Sequence, residues 1–234
     1  MEITRAFFVF SGGLPRSFQT VRTMAMKCAA SILTSVAFLC LTACEGDPIA
    51  EVREEAPRVR LKTSMGDIVI ELNAEKAPIT VANFLQYVTG DHYDGTVFHR
   101  VMNGFMIQGG GFAVEDGQLI EKKTGKGIKN EGQNGLKNET GTIAMARMKD
   151  LNSATAQFFI NVVDNDGLDY PSAGGYAVFG KVVEGMDVVN KIKQVETGIK
   201  PLATKLPLTG KLVSSQEENV PLEPVVIESV EVVD

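Results

Sequence analysis

From position 59 the chain alternates. Val59, Leu61 and Thr63 are separated by Arg60 and Lys62, and after Ser64-Met65-Gly66-Asp67 the apolar positions resume in Ile68-Val69-Ile70-Glu71-Leu72. A period of two on either side of a short turn predicts a β-hairpin with one face towards a core. The period then changes to that of a helix. Pro78 can open it at the first turn, Gly90 can end it, and either Ile79, Ala82, Leu85 and Val88 or Val81, Phe84 and Val88 make its apolar face. Short strands follow at 96–101, 106–109, 141–146, 157–162, 176–183 and 225–232, with a second helix at 186–192 where Met186, Val189 and Ile192 recur. Some eight strands with only two helices predict a mainly β fold, a closed eight-stranded antiparallel β-barrel capped by two α-helices, rather than a doubly wound sheet. Residues 193–224 are polar and punctuated by proline, and read as an irregular excursion.

A different pattern occupies the N-terminus. From Cys28 to Cys44 the run CAASILTSVAFLCLTAC carries no charge and follows Lys27, the arrangement of a basic flank and apolar stretch in an export signal. It is slightly short for a membrane span and is diluted by Ser and Thr, which favours a cleaved signal over a retained anchor. Met24 or Met26 would open a signal of ordinary length, so residues 1–23 read as lying upstream of the true start. The stretch EGDPIAEVREEAP after Cys44 is charged, holds two prolines and has no periodicity, as a tether would. The organisation expected is therefore a signal segment at 1–43, a cysteine-bearing tether at 44–57 and one folded domain at 58–234.

Charge narrows the partners. The chain has a formal charge of −6, but its first 44 residues hold Arg5, Arg16, Arg22 and Lys27 against Glu2, leaving 19 basic and 28 acidic residues, or −9, for the rest. Such a surface repels phosphate backbones, and no basic stripe with interleaved aromatics overcomes it, so nucleic acid is excluded as a partner. Cys28, Cys40 and Cys44 all precede the domain, which therefore contains no internal disulfide.

Four segments carry the chemistry: Val97-Phe98-His99-Arg100-Val101, Gly104-Phe105-Met106-Ile107-Gln108-Gly109-Gly110, Ala144-Met145-Ala146 and Gln157-Phe158-Phe159-Ile160-Asn161. In this order and with these short gaps they closely resemble the cyclophilin family of peptidyl-prolyl cis-trans isomerases. With Val178-Phe179-Gly180-Lys181-Val182 and the opening hairpin, the resemblance extends over about 58 to 234. It implies rotation of X-Pro peptide bonds in proline-containing polypeptides, by a monomer, with no cofactor and no metal. Arg100 takes the position of the family's catalytic arginine. Phe105, Met106, Gln108, Ala146, Gln157, Phe159 and Leu168 fall on substrate-contacting positions, and His99 lines the edge of the site. Arg147 stands where asparagine is common and Tyr176 where histidine is frequent, and both are expected at the substrate. Gly167, where tryptophan is frequent, removes a ring from the pocket rim. Phe98, Phe158 and Phe179 are read instead as core, because alternation along a strand sends Phe98 opposite His99 and Phe158 opposite Phe159.

The residue types suit that reaction. The peptide bond rotates against a barrier of roughly 18–20 kcal/mol set by resonance, so a catalyst need only weaken that resonance. An apolar slot for the proline ring and one fixed donor are enough, and an always-charged guanidinium with directed N–H groups is such a donor. The alternative is a module or chaperone that holds proline segments without turning them over; the presence of Arg100 favours catalysis. Other signals are weaker. His92 and His99 lie without a nearby cysteine, and Gly109-Gly110-Gly111 and Gly125-Lys126-Gly127 lack the context of a phosphate loop. Ser153 and Ser172 have no triad spacing, and Asp164, Asp166 and Asp169 read as a solvated turn rather than a calcium loop.

Leu41-Thr42-Ala43-Cys44 resembles the lipobox of bacterial lipoprotein signal peptides, which implies acylation of Cys44 and attachment to a membrane; otherwise Cys44 is an apolar residue of an ordinary signal. Several acyl chains would hold the protein stably. Glu45 rather than aspartate after Cys44 resembles outer-membrane sorting, so the expected location is the periplasmic face of that membrane.

Overall fold

The computed structural model describes residues 56–206 and 209–233. The signal segment, Cys44 and nearly all of the tether lie outside the described residues.

The opening alternation forms β1 (Arg58–Thr63) and β2 (Gly66–Leu72), paired antiparallel with Leu61 opposite Ile68. Val59, Leu61, Ile68, Ile70 and Leu72 are fully buried, while Arg60 and Lys62 on the other face reach Glu231 at 3.4 and 3.1 Å. Gly66 turns the hairpin at φ 127°, and a Cβ there would stand 2.8 Å from Cγ2 of Val188, so the turn doubles as a seat for a helix. Helix α1 (Pro78–Thr89) follows, with proline in its first turn. Of its two possible apolar faces the structure buries Thr80, Val81, Phe84 and Val88, and leaves Ile79 41% exposed.

Next come β3 (Thr96–Val97), β4 (Arg100–Met102), β5 (Met106–Gly109), β6 (Phe112–Glu115), β7 (Gln118–Glu121), β8 (Thr142–Met145), β9 (Phe158–Asn161) and β10 (Val178–Glu184). Helix α2 (Met186–Ile192) then buries Val188, Val189 and Ile192. The chain ends in β11 (Thr197–Lys205), β12 (Leu212–Pro221) and β13 (Val226–Val233).

Antiparallel ladders run β3–β13–β1–β2–β10–β8–β9–β5–β4. Because β3 and β4 are two halves of one bent stretch, broken only at Phe98–His99, the ring returns to its start after eight strands. This is the expected barrel, nearly closed. Its core joins inward residues of every wall, among them Phe98, Ile107, Ile143, Phe158, Ile160 and Phe179, to Phe84 of α1 and Val189 of α2. Ring centroids of Phe84 lie 5.8 Å from Phe158 and 5.2 Å from Phe179, a separation at which aromatic pairs attract beyond their buried area.

The strands outside this ring depart from expectation. Residues 193–224 do not form an irregular excursion; they contain the β11–β12 hairpin, paired from Thr197↔Pro221 to Lys205↔Leu212. β11 also lies parallel to β7, while β6 pairs with β3. Seven successive residues of β12 are exposed, so neither face imposes a period of two on its sequence. What fixes the hairpin is a small apolar contact between Leu202, Val220, Phe112 and Val97.

Candidate active site

The two faces of the barrel wall have different chemistry. Val101, Ile107, Ile160 and Ile143 stand in register across β4, β5, β9 and β8, and all four are in the core. One residue along, Arg100, Gln108, Phe159, Ala144 and Val178 form the neighbouring row across the same strands and β10. Alternation sends this second row outward, with neighbouring side chains about 4.5–5.5 Å apart at Cβ. A third row, Met102, Met106 and Asn161, follows on the same face.

Loops complete the walls. The turn from Met102 to Phe105 is closed by Phe105 N–H on the Met102 carbonyl at 3.0 Å. Leu168 ends a 3₁₀ turn, Asp166–Leu168, and its carbonyl accepts from Tyr176 N–H at 2.8 Å. Phe159 and Tyr176 meet edge to face at 5.8 Å. Met106, Ala144, Phe159 and Val178 thus found a second apolar cluster, separate from the core, against which Phe105, Ala146, Leu168 and Tyr176 pack.

Arg100, Phe105, Met106, Gln108, Ala146, Arg147, Phe159, Leu168 and Tyr176 enclose one cavity of about 180 Å³. All nine were singled out from the sequence. Gly167 is exposed, and a Cβ on it would meet nothing within 4 Å, so the rim is open there. A larger cavity, about 780 Å³, lies beside Asn73, Glu75 and Lys137 and includes none of the nine.

Two expected residues are placed differently. Gln157 does not line the cavity; it stands behind Gln108, whose Nε2 donates to Gln157 Oε1 at 2.9 Å. His99 does not line it either. It is 4% exposed and lies beneath Phe112 at 4.7 Å between ring centroids, because β6 covers the outward face of the bend between β3 and β4. Burial and the charge of Arg100 together lower its pKa to about 4, against the opposing pull of the Val97 carbonyl and the Gln157 side chain. Nδ1 of His99 has no partner among the described residues.

Arg147 lines the cavity with its hydrogen bonds turned away from it. Its guanidinium carbon sits 4.3 Å from the ring centre of Tyr176. Nη1 donates to the Met148 carbonyl at 3.0 Å, and Nη2 to the carbonyls of Ala173 and Gly175 at 2.5 and 3.2 Å. Such stacking and chelation fix a long side chain that would otherwise be mobile.

Sequence reasoning missed the support behind the apolar walls. Asn165 Nδ2 donates to the Phe105 carbonyl at 2.8 Å and to Asn161 Oδ1 at 2.7 Å, while its backbone N–H donates to the Asn138 carbonyl. Asn138 in turn donates twice to Asp169, through N at 2.8 Å and Nδ2 at 3.0 Å, and Lys137 approaches the same carboxylate at 3.2 Å. Burial alone would raise the Asp169 pKa, but these donors bring it below the usual carboxylate value. Asp164 instead accepts from Thr140. The three aspartates of this region therefore do separate work. The signal available in the sequence was the number of amides between 138 and 165, which has no periodicity to mark it.

Comparison with known proteins gives one answer. The family model for "Cyclophilin type peptidyl-prolyl cis-trans isomerase/CLD" matches residues 58–232. Over 178 residues the chain is 51% identical to peptidyl-prolyl cis-trans isomerase cyp18 of Streptomyces antibioticus, covering 74% of this chain and 97% of that one. It is 52% identical to peptidyl-prolyl cis-trans isomerase B of Escherichia coli strain K12, again over 178 residues, covering 74% and 98%. A crystal structure of a cyclophilin type isomerase from Cryptosporidium parvum shares the fold, with a TM-score of 0.57 at 24% identity over 76% of this chain and 98% of the other. With a barrel of that topology, a family match from the first strand to the last, and about half of the aligned residues identical to those of named isomerases, the chain belongs to the cyclophilin-type peptidyl-prolyl cis-trans isomerases.

Proposed function

We propose that this isomerase turns over X-Pro bonds in exported proteins while tethered to a membrane through Cys44, and that Arg100 is its catalytic residue. The observation carrying the catalytic part is the cavity itself. Phe105, Met106, Phe159 and Leu168 offer an apolar slot of proline-ring size, and Arg100 stands on its edge in register with Gln108. Among the described residues the ion pairs engage other cations, and no carboxylate pairs with Arg100. Its N–H groups are then available to the proline nitrogen. As the bond twists, that nitrogen loses conjugation and gains a lone pair, and a donor aimed at it stabilises the twisted form more than either planar one. The apolar walls exclude water, which strengthens the contact.

Uncatalysed isomerisation takes tens to hundreds of seconds, slow enough to limit folding, so exported chains are substrates for which the acceleration matters. The export and anchoring part rests on Lys27, the uncharged run and Leu41-Thr42-Ala43-Cys44. The test of catalysis is a protease-coupled proline-peptide assay on residues 45–234. Arg100→Ala is expected to lower turnover about 10²-fold or more with the fold retained by circular dichroism, the loss typical of one preorganised electrostatic group. Unchanged turnover in a folded variant would remove Arg100 from this role.

A further inference from the structure

We propose that the site prefers proline segments carrying an acidic side chain beside the proline. The inference rests on the isomerase reading of the cavity given above. Two guanidinium groups, Arg100 and Arg147, line a space of about 180 Å³ whose other lining residues are Phe105, Met106, Gln108, Ala146, Phe159, Leu168 and Tyr176. No carboxylate is among them. The ion pairs of the described residues include neither arginine. Three backbone carbonyls satisfy hydrogen bonds of Arg147 but bring no net charge, so among the described residues no carboxylate pairs with either guanidinium at the cavity.

The second arginine is also preorganised. A surface lysine would lose side-chain freedom on meeting a charged ligand, and that loss commonly cancels the gain. Arg147 is already held on the Tyr176 ring at 4.3 Å and chelated to the 173–175 loop. It therefore meets an incoming carboxylate with little further ordering. The chain beyond its first 44 residues is acidic, with 19 basic and 28 acidic residues, so its long-range field does not attract acidic segments. The preference is thus local, acting once the proline is seated.

The experiment uses the full chain and peptides of the form Ala-X-Pro-Phe, with X as Glu, Ala or Lys, and a second set with X one position further from the proline. Exchange between isomers is followed by NMR, which needs no coupling protease. One exposed charge contact changes affinity about threefold, so attraction of Glu and repulsion of Lys are expected to separate kcat/KM by about 10-fold at low ionic strength in at least one set. The separation is expected to shrink to about twofold near 0.5 M salt, where the screening length is only a few ångströms. Arg147→Gln is expected to reduce the Glu to Lys ratio and Arg147→Lys to keep its sign. Normal turnover of the Ala peptides with equal Glu and Lys rates in both sets would overturn the preference alone. Absence of turnover with every peptide would remove the isomerase reading and this preference with it. The salt series on the unmodified protein decides the matter even if the variants do not fold.

Discussion

Gln108 Nε2 donates to Gln157 Oε1 at 2.9 Å. The bond fixes which end of each amide is left over: the Oε1 acceptor of Gln108 and the Nε2 donor of Gln157. A peptide backbone needs one of each, and only Gln108 borders the cavity directly. Gly111 holds this arrangement from behind, since a Cβ there would lie 2.5 Å from Cγ of Gln157. Gly111→Ala is therefore expected to displace Gln157, break the amide pair and lower kcat/KM by about 10-fold, the value of one or two neutral hydrogen bonds. Steady-state kinetics beside a thermal melt checks it; unaltered kcat/KM in the folded variant would mean that the pair has no bearing on substrate.

Asn165 joins the Phe105 turn to β9. Asn165→Ala leaves the Phe105 carbonyl without this donor and Asn161 Oδ1 without a partner, a loss of about 1–3 kcal/mol. A fall in melting temperature of about 2–12 °C is expected for a domain of this size. Because the affected residues form a wall and not the charged edge, KM is expected to rise while kcat changes little.

Catalysis is expected to be independent of pH from about 6 to 9, because rotation about a C–N bond transfers no proton. Stability should behave otherwise. The His99 pKa falls from 6.5 to about 4 on folding, so the unfolded chain binds the extra proton. Its contribution is fully present above pH 6.5 and is lost as pH falls towards 4, by up to about 3 kcal/mol. Asp169, held below its usual value, loses its contribution in a lower window, as pH falls below about 4. Melting curves from pH 7 to 4.5 are expected to decline in the unmodified protein and to flatten in His99→Gln. An equal decline in both would assign the acid sensitivity elsewhere.

What the sequence disclosed depended on which physical signal each part left in it. β1 has one buried and one exposed face, so its period of two is visible. β8 and β9 are buried on both faces and were legible only as short apolar runs. Six of the nine cavity residues, Arg100, Phe105, Met106, Gln108, Ala146 and Phe159, sit in the segments that carry the family resemblance. β12 has seven exposed residues in succession and β6 is only four residues long, and neither leaves a pattern. His99 was misplaced for a related reason. Its neighbours in sequence indicate the face it is on, but the strand covering that face, β6, was not anticipated. The contacts of Asn138, Asn161 and Asn165 arise only when the end of β9, the loop after it, the Phe105 turn and the loop at Asn138 meet.

Cys44 can be tested chemically. Mass spectrometry of the native N-terminus is expected to find a chain beginning at an acylated Cys44, which partitions with membranes and resists high-salt washing because buried acyl chains hold it. Cys44→Ser is expected to stop this processing and leave the isomerase activity of residues 45–234 intact. An unacylated chain cut elsewhere would refute the anchor alone.

The aromatic filling of the barrel has a consequence for the length of chain this enzyme can serve. Phe84, Phe98, Phe158 and Phe179 are fully buried inside it, whereas the cavity belongs to the outer face. A polypeptide is therefore presented sideways and never threaded. No free end is required, and a proline in the middle of a long polypeptide is as accessible as one near its terminus. Folded portions of the same molecule can remain in solvent while the bond turns.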